Sequence, residues 1–125
     1  LIYNPDHQGF VNADIQALER IMNNLLDNAY KYSDEGTSVE VSTKDQGKMI
    51  KVMVTDSGVG VSDEDQGHIF DRFYRTASAR ASDTKGSGLG LAIVKNLINS
   101  LNGEVGITPK KPSGSIFWFT IPKST

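Results

Sequence analysis

The sequence predicts an α+β fold, a two-layer α/β sandwich in which helices cover one face of a mixed, mostly antiparallel sheet. Two stretches have apolar residues at three- and four-residue steps, which indicates amphipathic helices. Stretches that alternate apolar and polar residues lie before and between them and after the second one, which indicates half-buried strands. With 125 residues the chain is predicted to form one domain, spanning 1–125.

The first quarter of the chain predicts short strands followed by a long helix. Residues 1–3 and 9–11 are each compatible with a short strand, joined by a turn at residues 4–6. The helix is predicted over residues 13–32, with Asn12 as its N-cap. Its apolar stripe comprises Ile15, Leu18, Ile21, Met22, Leu25, Leu26 and Ala29.

The middle of the chain predicts a β-hairpin and a glycine-rich loop. Apolar and polar residues alternate on both sides of a turn at Gln46-Gly47. The inward-facing positions are Val39, Val41, Thr43, Ile50, Val52 and Val54. The loop 56–60 follows the second strand directly, and a short helical stretch is predicted through Ile69 and Phe73.

The last part of the chain predicts a mobile loop, a second helix and two strands. Residues 76–87 show no apolar periodicity, which is typical of a loop. The helix that follows carries Leu91, Val94, Ile98 and Leu101 on one face and ends at Asn102-Gly103. Residues 104–108 and 115–121 then complete the sheet.

Composition excludes several classes of function. The chain has no cysteine, so disulfides and thiolate metal sites are excluded. Its net charge is -2, so at the level of the whole chain there is no excess of basic residues that would favour nucleic acid or an anionic membrane. No apolar run approaches the ~20 residues of a membrane-spanning helix. The chain begins with Leu1 and not Met, so we expect it to be part of a longer protein.

Three short motifs carry polar chemistry, and each has a simple structural alternative. Asn24, Asn28 and Lys31 share one helix face, where amide oxygens suit Mg²⁺ and a lysine suits phosphate. Taken alone, such a set favours an ordinary solvated helix face. Asp56 could accept a hydrogen bond from an exocyclic amine beside Gly58 and Gly60, although, taken alone, that motif is better explained as a simple glycine turn after a strand.

The third motif, Gly86-Ser87-Gly88-Leu89-Gly90, stands at the predicted start of a helix, where free N–H groups bind anions. It is not a Walker A loop, because no Gly-Lys-Ser/Thr ends it. Taken together, residues 24–33, 56–60, 69–75 and 86–94 resemble the N, G1, F and G2 boxes of sensor histidine kinases, in the family's order and with family-like spacing. The chain thus resembles the catalytic and ATP-binding domain of a bacterial two-component sensor histidine kinase, which has the Bergerat fold.

The resemblance implies a role for each matching residue. Asn28 would ligate Mg²⁺, and Asp56 would accept the adenine amino group. Phe70 and Phe73 would anchor the root of an ATP lid over about residues 73–88, whose glycines would act as hinges. The implied catalytic residues are Asn24, Lys31 and Arg75. The implied nucleotide-binding residues are Asn24, Asn28, Lys31, Tyr32, Asp56, Gly58, Gly60, Lys85, Gly86, Gly88, Leu89 and Gly90.

Residues 113–117 depart from the family's Gly-Thr-x-Phe pattern by having Ser115, and no nucleotide contact is assigned to them. His7 and His68 each lack a partner at metal-ligand spacing, so neither is expected to bind a metal. Trp118 is expected to pack on the last strand.

The implied activity is transfer of the γ-phosphoryl group of Mg-ATP to a histidine on the parent kinase's dimerisation domain, which then feeds a response regulator. That acceptor domain is not expected in this chain, which would be a monomer on the cytoplasmic side of a membrane-bound parent. MutL-like, topoisomerase and heat-shock ATPases of the same fold have a general-base glutamate where this chain has Asn24. Anti-sigma serine kinases also carry an acidic residue there, so both classes are disfavoured. A degenerate nucleotide-sensing module is disfavoured because the four boxes are intact.

Overall fold

The computed structural model describes residues 2–4, 15–32, 38–58, 60–72, 74, 90–110 and 113–123. In chain order its elements are β1 (Ile2–Asn4), α1 (Ile15–Tyr32), β2 (Glu40–Gln46), β3 (Met49–Asp56), α2 (Asp63–Gln66), α3 (Gly90–Ser100), β4 (Glu104–Pro109) and β5 (Ser115–Pro122). The predicted strand at 9–11, the Asn12 cap and the stop signal at 33–36 lie outside the described residues. No helix in this part of the chain is long and apolar enough to cross a membrane.

The five strands form one sheet in the order β1-β2-β3-β5-β4. β1 pairs with β2 in parallel, and every other pair is antiparallel. The predicted mixed, mostly antiparallel sheet is therefore confirmed. Its central strands, β3 and β5, pair over their full length, so that Asp56 at the end of β3 lies opposite Ser115 at the start of β5.

The hydrophobic core lies between α1, α3 and one face of the sheet. In β2, β3, β4 and β5 alternate residues point to that face, because side chains of a strand alternate in direction. Burial of a large aliphatic or aromatic side chain stabilises a fold by about 1.5–3 kcal/mol. The largest of the fully buried side chains are Ile21, Leu25, Val39, Ile50, Val54, Val94, Ile98, Phe119 and Ile121.

The apolar stripe of α1 is confirmed except at its first position. Leu18, Met22 and Leu26 pack at the margin of the core. Ile15 was expected to belong to the stripe, but its side chain is 74% exposed. It lies in the first turn of α1, one turn before Leu18, so the helix begins to contribute to the core only at its second turn.

The segment after β3 differs from the predicted short helix. The helix ends at Gln66, and the chain continues in turns, as shown by hydrogen bonds from the N–H of His68 to the carbonyl of Asp65 and from the N–H of Asp71 to the carbonyl of His68. Ser62 caps the helix by accepting a hydrogen bond from the N–H of Asp65. Ile69 is buried from a turn and not from a helix.

Asn102 and Gly103 follow the end of α3, and Gly103 also packs closely against β5. Asn102 adopts a positive φ of 65°, and the N–H of Gly103 donates to the carbonyl of Ile98 at 3.0 Å, as in a Schellman motif. A methyl group on Gly103 would lie 1.8 Å from the carbonyl oxygen of Thr120. The predicted stop is confirmed, but it is Asn102 that takes the left-handed conformation, while Gly103 is required by the neighbouring strand.

Trp118 lies on the sheet face opposite the helices. Its indole covers Gly106 of β4, where a methyl group would come within 2.3 Å of the ring. The ammonium of Lys51 stands 4.7 Å from the centroid of the indole, in a cation–π contact. Trp118 therefore packs on the sheet, as expected, with its ring extending onto β4.

Candidate functional site

Asp56 ends β3 and is 3% exposed, which is rare for a carboxylate. The N–H of Gly58 donates to its Oδ1 at 3.0 Å, and the N–H of Ser115 also donates to the carboxylate. Both donors are backbone groups at fixed positions. The carboxylate is therefore held in one orientation by the ends of two strands.

The environment of Asp56 opposes its ionisation. Burial raises the pKa of the Asp56 carboxyl above its ordinary value near 3.8, because a buried charge loses its hydration. The N–H groups of Gly58 and Ser115 and the charge of Lys110 act in the opposite direction and limit the rise in pKa. A carboxylate in this position is a strong acceptor for any ligand that brings a further donor.

Two glycines let the loop after β3 meet the β4–β5 loop, defined as residues 110–114. Gly114 has a φ of 111°, and a methyl group there would lie 2.1 Å from the carbonyl oxygen of Asp56. Gly60 has a φ of 77°, and a methyl group there would lie 3.3 Å from the carbonyl oxygen of Gly114. Gly60 is thus required by its conformation and by this backbone contact, whatever it does toward a ligand.

Lys110 joins the same two loops through its side chain. Its ammonium donates a hydrogen bond of 2.8 Å to the Oγ of Ser57, the residue directly after Asp56. Its backbone N–H donates to the carbonyl of Gly114 at 3.2 Å and closes the β4–β5 loop. Lys110, Gly114 and Ser115 therefore form one wall around the buried carboxylate.

Asn24 and Asn28 lie one turn apart on α1, and both are half-buried at the edge of the apolar stripe. Gly90 is the first residue of α3, and a methyl group on it would lie 3.7 Å from the Oδ1 of Asn24. The structure thus brings the first helix motif to the start of α3. Lys31 and Tyr32 lie in the last turn of α1, and the positions of their side chains are outside the described part of the structure.

The donor set on α1 fits a hard cation. Mg²⁺ usually takes one or two oxygen ligands from protein and completes its shell with phosphate oxygens and water. The amide of Asn28 is half-buried and can supply one such oxygen. Within the described ranges there is no group of three or more His, Cys, Asp or Glu residues that could hold a metal. His68 instead contacts Asp71, with 3.1 Å between Nδ1 and Oδ2.

The root of the predicted lid is described only in part. The ring of Phe70 meets that of Phe117 edge-on, with 6.4 Å between centroids. The hydroxyl of Tyr74 donates to Oδ1 of Asp65 and so ties the residue before Arg75 to α2. The predicted site residues outside the described part are Phe73, Arg75, Lys85, Gly86, Gly88 and Leu89.

The wall formed by the β4–β5 loop was not predicted from the sequence. The motif at 113–117 contained a signal, since its glycine and serine keep part of the family pattern, but no contact was assigned to it. Lys110 gave no signal at all, because it meets Ser57 across 53 residues of chain. Such a contact depends on β4 and β3 both flanking β5, which a local pattern does not reveal.

Comparison with known proteins gives the same classification by sequence and by structure. Residues 13–125 match the sequence profile of the histidine kinase-, DNA gyrase B- and HSP90-like ATPase family. The sensor-like histidine kinase SenX3 of Mycolicibacterium smegmatis is 42% identical over 100 residues, which cover 80% of this chain and 26% of SenX3. This chain therefore spans about a quarter of that relative.

The solved structure of the mycobacterial sensor histidine kinase MprB superimposes with a TM-score of 0.86 at 31% identity, covering 98% of this chain and 83% of that one. A structure of the histidine kinase ThkA in complex with the response regulator TrrA gives 0.79 at 24% identity, covering 98% and 34%, and at that identity shows the fold alone. The chain belongs to the histidine kinase-, DNA gyrase B- and HSP90-like ATPase family, as the catalytic, ATP-binding domain of a bacterial two-component sensor histidine kinase.

Proposed function

We propose that this domain binds Mg-ATP and transfers the γ-phosphoryl group to a histidine on the dimerisation domain of its parent sensor kinase. The observation that carries the proposal is the amide of Asn24 beside Gly90, at the start of α3. A helix start offers free N–H groups and a positive dipole end to phosphate. An amide at this point can orient phosphate or metal but cannot take a proton from water.

The base of ATP is assigned to the opposite end of the site. The carboxylate of Asp56 accepts the 6-amino group of adenine, with Gly58 and Gly60 lining the approach. The fixed orientation of Asp56 supports this role, because the acceptor is in place before the ligand arrives. Tyr32 is proposed to lie against the base.

The phosphates are assigned to α1 and to the start of α3. Asn28 is proposed to ligate Mg²⁺, which when bound neutralises phosphate charge. Lys31 and Arg75 add positive charge, with Arg75 acting at the γ-phosphate during transfer. Lys85, Gly86, Gly88, Leu89 and Gly90 are proposed to contact the phosphates, within a lid of about residues 73–88.

Rapid hydrolysis of ATP is the competing function. ATPases of this fold would need a general base near the phosphates to activate water. The residue that α1 places beside the start of α3 is Asn24, which cannot act as that base. We therefore assign this domain to phosphoryl transfer and not to hydrolysis.

The proposed downstream partner is a response regulator. The similar fold of ThkA, which was solved in complex with the response regulator TrrA, supports this assignment. The parent is proposed to be a membrane-bound sensor that carries this domain on its cytoplasmic side, with the domain itself contacting neither membrane nor nucleic acid.

The proposed function is tested by transfer of label from γ-labelled ATP. We expect the chain alone to bind ATP without rapid phosphate release and without labelling itself. Adding the parent's histidine-bearing domain should produce an acid-labile, base-stable phosphoprotein. Arg75→Ala should slow this transfer more than it weakens ATP binding, because an arginine at the γ-phosphate acts mainly in the transition state.

Arg20→Ala, which removes an exposed arginine of α1, is the matched control and should leave the transfer rate unchanged. Rapid phosphate release by the chain alone, or an acid-stable label on serine, would contradict the proposal. Equal loss of transfer in the two arginine variants would remove Arg75 from the mechanism.

A further inference from the structure

We propose that Lys110 is a specificity-determining residue of the base site, which through Ser57 keeps its positive charge beside Asp56 and so selects adenine over guanine. This inference rests on the proposed function, in which Asp56 receives the base. It adds a positioning residue from the β4–β5 loop, which none of the four sequence motifs contains.

The contact is specific and partly buried. The ammonium of Lys110 lies 2.8 Å from the Oγ of Ser57. Both residues directly follow a strand, Lys110 after β4 and Ser57 after β3, and β5 lies between these two strands. In the same loop, Gly114 packs closely against the carbonyl of Asp56. The lysine is therefore held at the rim of the site, where it is part of the wall.

The positive charge of Lys110 acts on Asp56, whose ionised form is disfavoured by burial. Burial raises the pKa of Asp56, and only a few groups oppose the effect: the N–H groups of Gly58 and Ser115 and the ammonium of Lys110. Among the described residues, Lys110 is the charged group that favours the anion. Removing it leaves the two backbone donors in place and lets the proportion of protonated Asp56 increase.

Adenine and guanine interact differently with the anionic and the protonated forms of Asp56. Adenine presents a 6-amino donor, which an anionic carboxylate accepts. Guanine presents a 6-carbonyl oxygen at that position, which an anionic carboxylate repels and a protonated carboxyl can bind as a donor. Protonation of Asp56 therefore weakens ATP and relieves the exclusion of GTP. Lys110 therefore contributes to the discrimination between ATP and GTP, and not only to the affinity for ATP.

The test compares ATP and GTP affinities of the 125-residue chain between pH 6 and 8 by calorimetry. Lys110→Met should lower the ratio of ATP to GTP affinity, and the loss should be greater at pH 6 than at pH 8, because protonation of Asp56 increases as the pH falls. Lys110→Arg keeps the charge and should restore most of the ratio. Lys48→Met, an exposed lysine in the turn before β3, is the matched control and should leave the ratio unchanged.

A second pair of variants separates the contact from the charge. Ser57→Ala should cause a smaller loss in the same direction, and adding it to Lys110→Met should cause no further loss, because the two residues act as one unit. Equal weakening of ATP and GTP by Lys110→Met, or failure of Lys110→Arg to rescue, would overturn the inference.

Asp56→Asn distinguishes this failure from a failure of the proposed function. If Asp56→Asn weakens ATP while Lys110→Met leaves discrimination unchanged, only the role of Lys110 is wrong. If Asp56→Asn binds ATP as well as the native chain does, the base site itself is misassigned. If Lys110→Met does not fold, Ser57→Ala and Lys110→Arg still decide, since the first must lower the ratio and the second preserve it.

Discussion

The two ends of the proposed site are built in different ways: the end around Asp56, proposed to bind the base and called the base end, and the end at Asn24 and Asn28, proposed to bind the phosphates and called the phosphate end. At the base end, Asp56 is fixed by backbone donors, and the surrounding loops meet through glycines with positive φ. At the phosphate end, Asn24 and Asn28 present half-buried side-chain amides from the surface of α1. The base end is thus part of the packing of the sheet, whereas the phosphate end is a set of side chains on a helix that folds for other reasons.

Because of this difference, we expect mutations at the two ends to have different effects on folding stability and on binding. A substitution of a tightly packed glycine at the base end disturbs backbone contacts between strands, so folding and binding change together. A substitution on the amide face of α1 leaves the apolar stripe untouched, so binding can change alone. The three predictions below follow this contrast from the largest expected effect on stability to the smallest.

Gly114→Ala should cause the largest loss of stability. Its methyl group would lie 2.1 Å from the carbonyl oxygen of Asp56, in a backbone conformation that side chains rarely adopt. We expect the free energy of unfolding to fall by about 3 kcal/mol or more. Gly47→Ala is the matched control, because Gly47 also has a positive φ but nothing lies near it. The control should cost about 1–2 kcal/mol. Urea unfolding followed by circular dichroism measures both, and equal losses would contradict the packing argument.

Asp56→Asn should weaken ATP binding by about 1–3 kcal/mol and leave the empty protein nearly as stable as before. The raised pKa gives the sign: the protonated group is favoured in the folded state, so its contribution to stability is present below about pH 3.8 and is lost as the pH rises through the folded pKa. At pH 7 the native chain therefore carries a buried charge that asparagine lacks.

Calorimetry with ATP and unfolding at several pH values measure the two effects of this substitution. The stability of Asp56→Asn relative to the native chain should be greatest near neutral pH and decline as the pH falls. Should unfolding become as much easier as ATP binding becomes weaker, Asp56 would be a structural residue and not a recognition residue.

Asn28→Ala should have the smallest effect on folding, within about 0.5 kcal/mol, since the side chain is outside the apolar stripe. ATP affinity should lose most of its response to Mg²⁺, while adenosine affinity stays the same. Asn23→Ala, an exposed asparagine on the same helix, is the matched control. An unchanged Mg²⁺ response in Asn28→Ala would sink the metal assignment, and a large loss of stability would break the contrast between the two ends.

Local pattern was sufficient for most of the fold. The apolar spacing gave both long helices, and alternation gave the β2–β3 hairpin and the last two strands. The pattern was wrong at Ile15, because periodicity does not say where a helix stops contacting the core. It was also wrong about the helix through Ile69, because a single buried apolar residue gives the same sequence pattern whether it lies in a turn or on a helix.

The site was predictable only where a local motif marks it. Asp56 stands at a strand end beside glycines, so its position could be expected from the sequence. Two other contacts depend on strand order, which brings distant segments of the chain together. They are the hydrogen bond of Lys110 with Ser57 and the close packing of Gly114 against the backbone of Asp56. The structure describes the positions of Asn24, Asn28, Asp56, Gly58, Gly60 and Gly90, but the binding and catalytic roles of all the predicted site residues stay predictions.

The packing of Trp118 against Gly106 has a practical consequence. The chain contains a single tryptophan, and it stands in β5, the strand paired with both β3 and β4. Its indole lies on the sheet face away from the helices, whereas the Asp56 side chain belongs to the helix-covered face. Loss of the sheet would free the indole from Gly106 and Lys51 and shift its emission to longer wavelength. The domain therefore contains its own optical reporter of strand pairing.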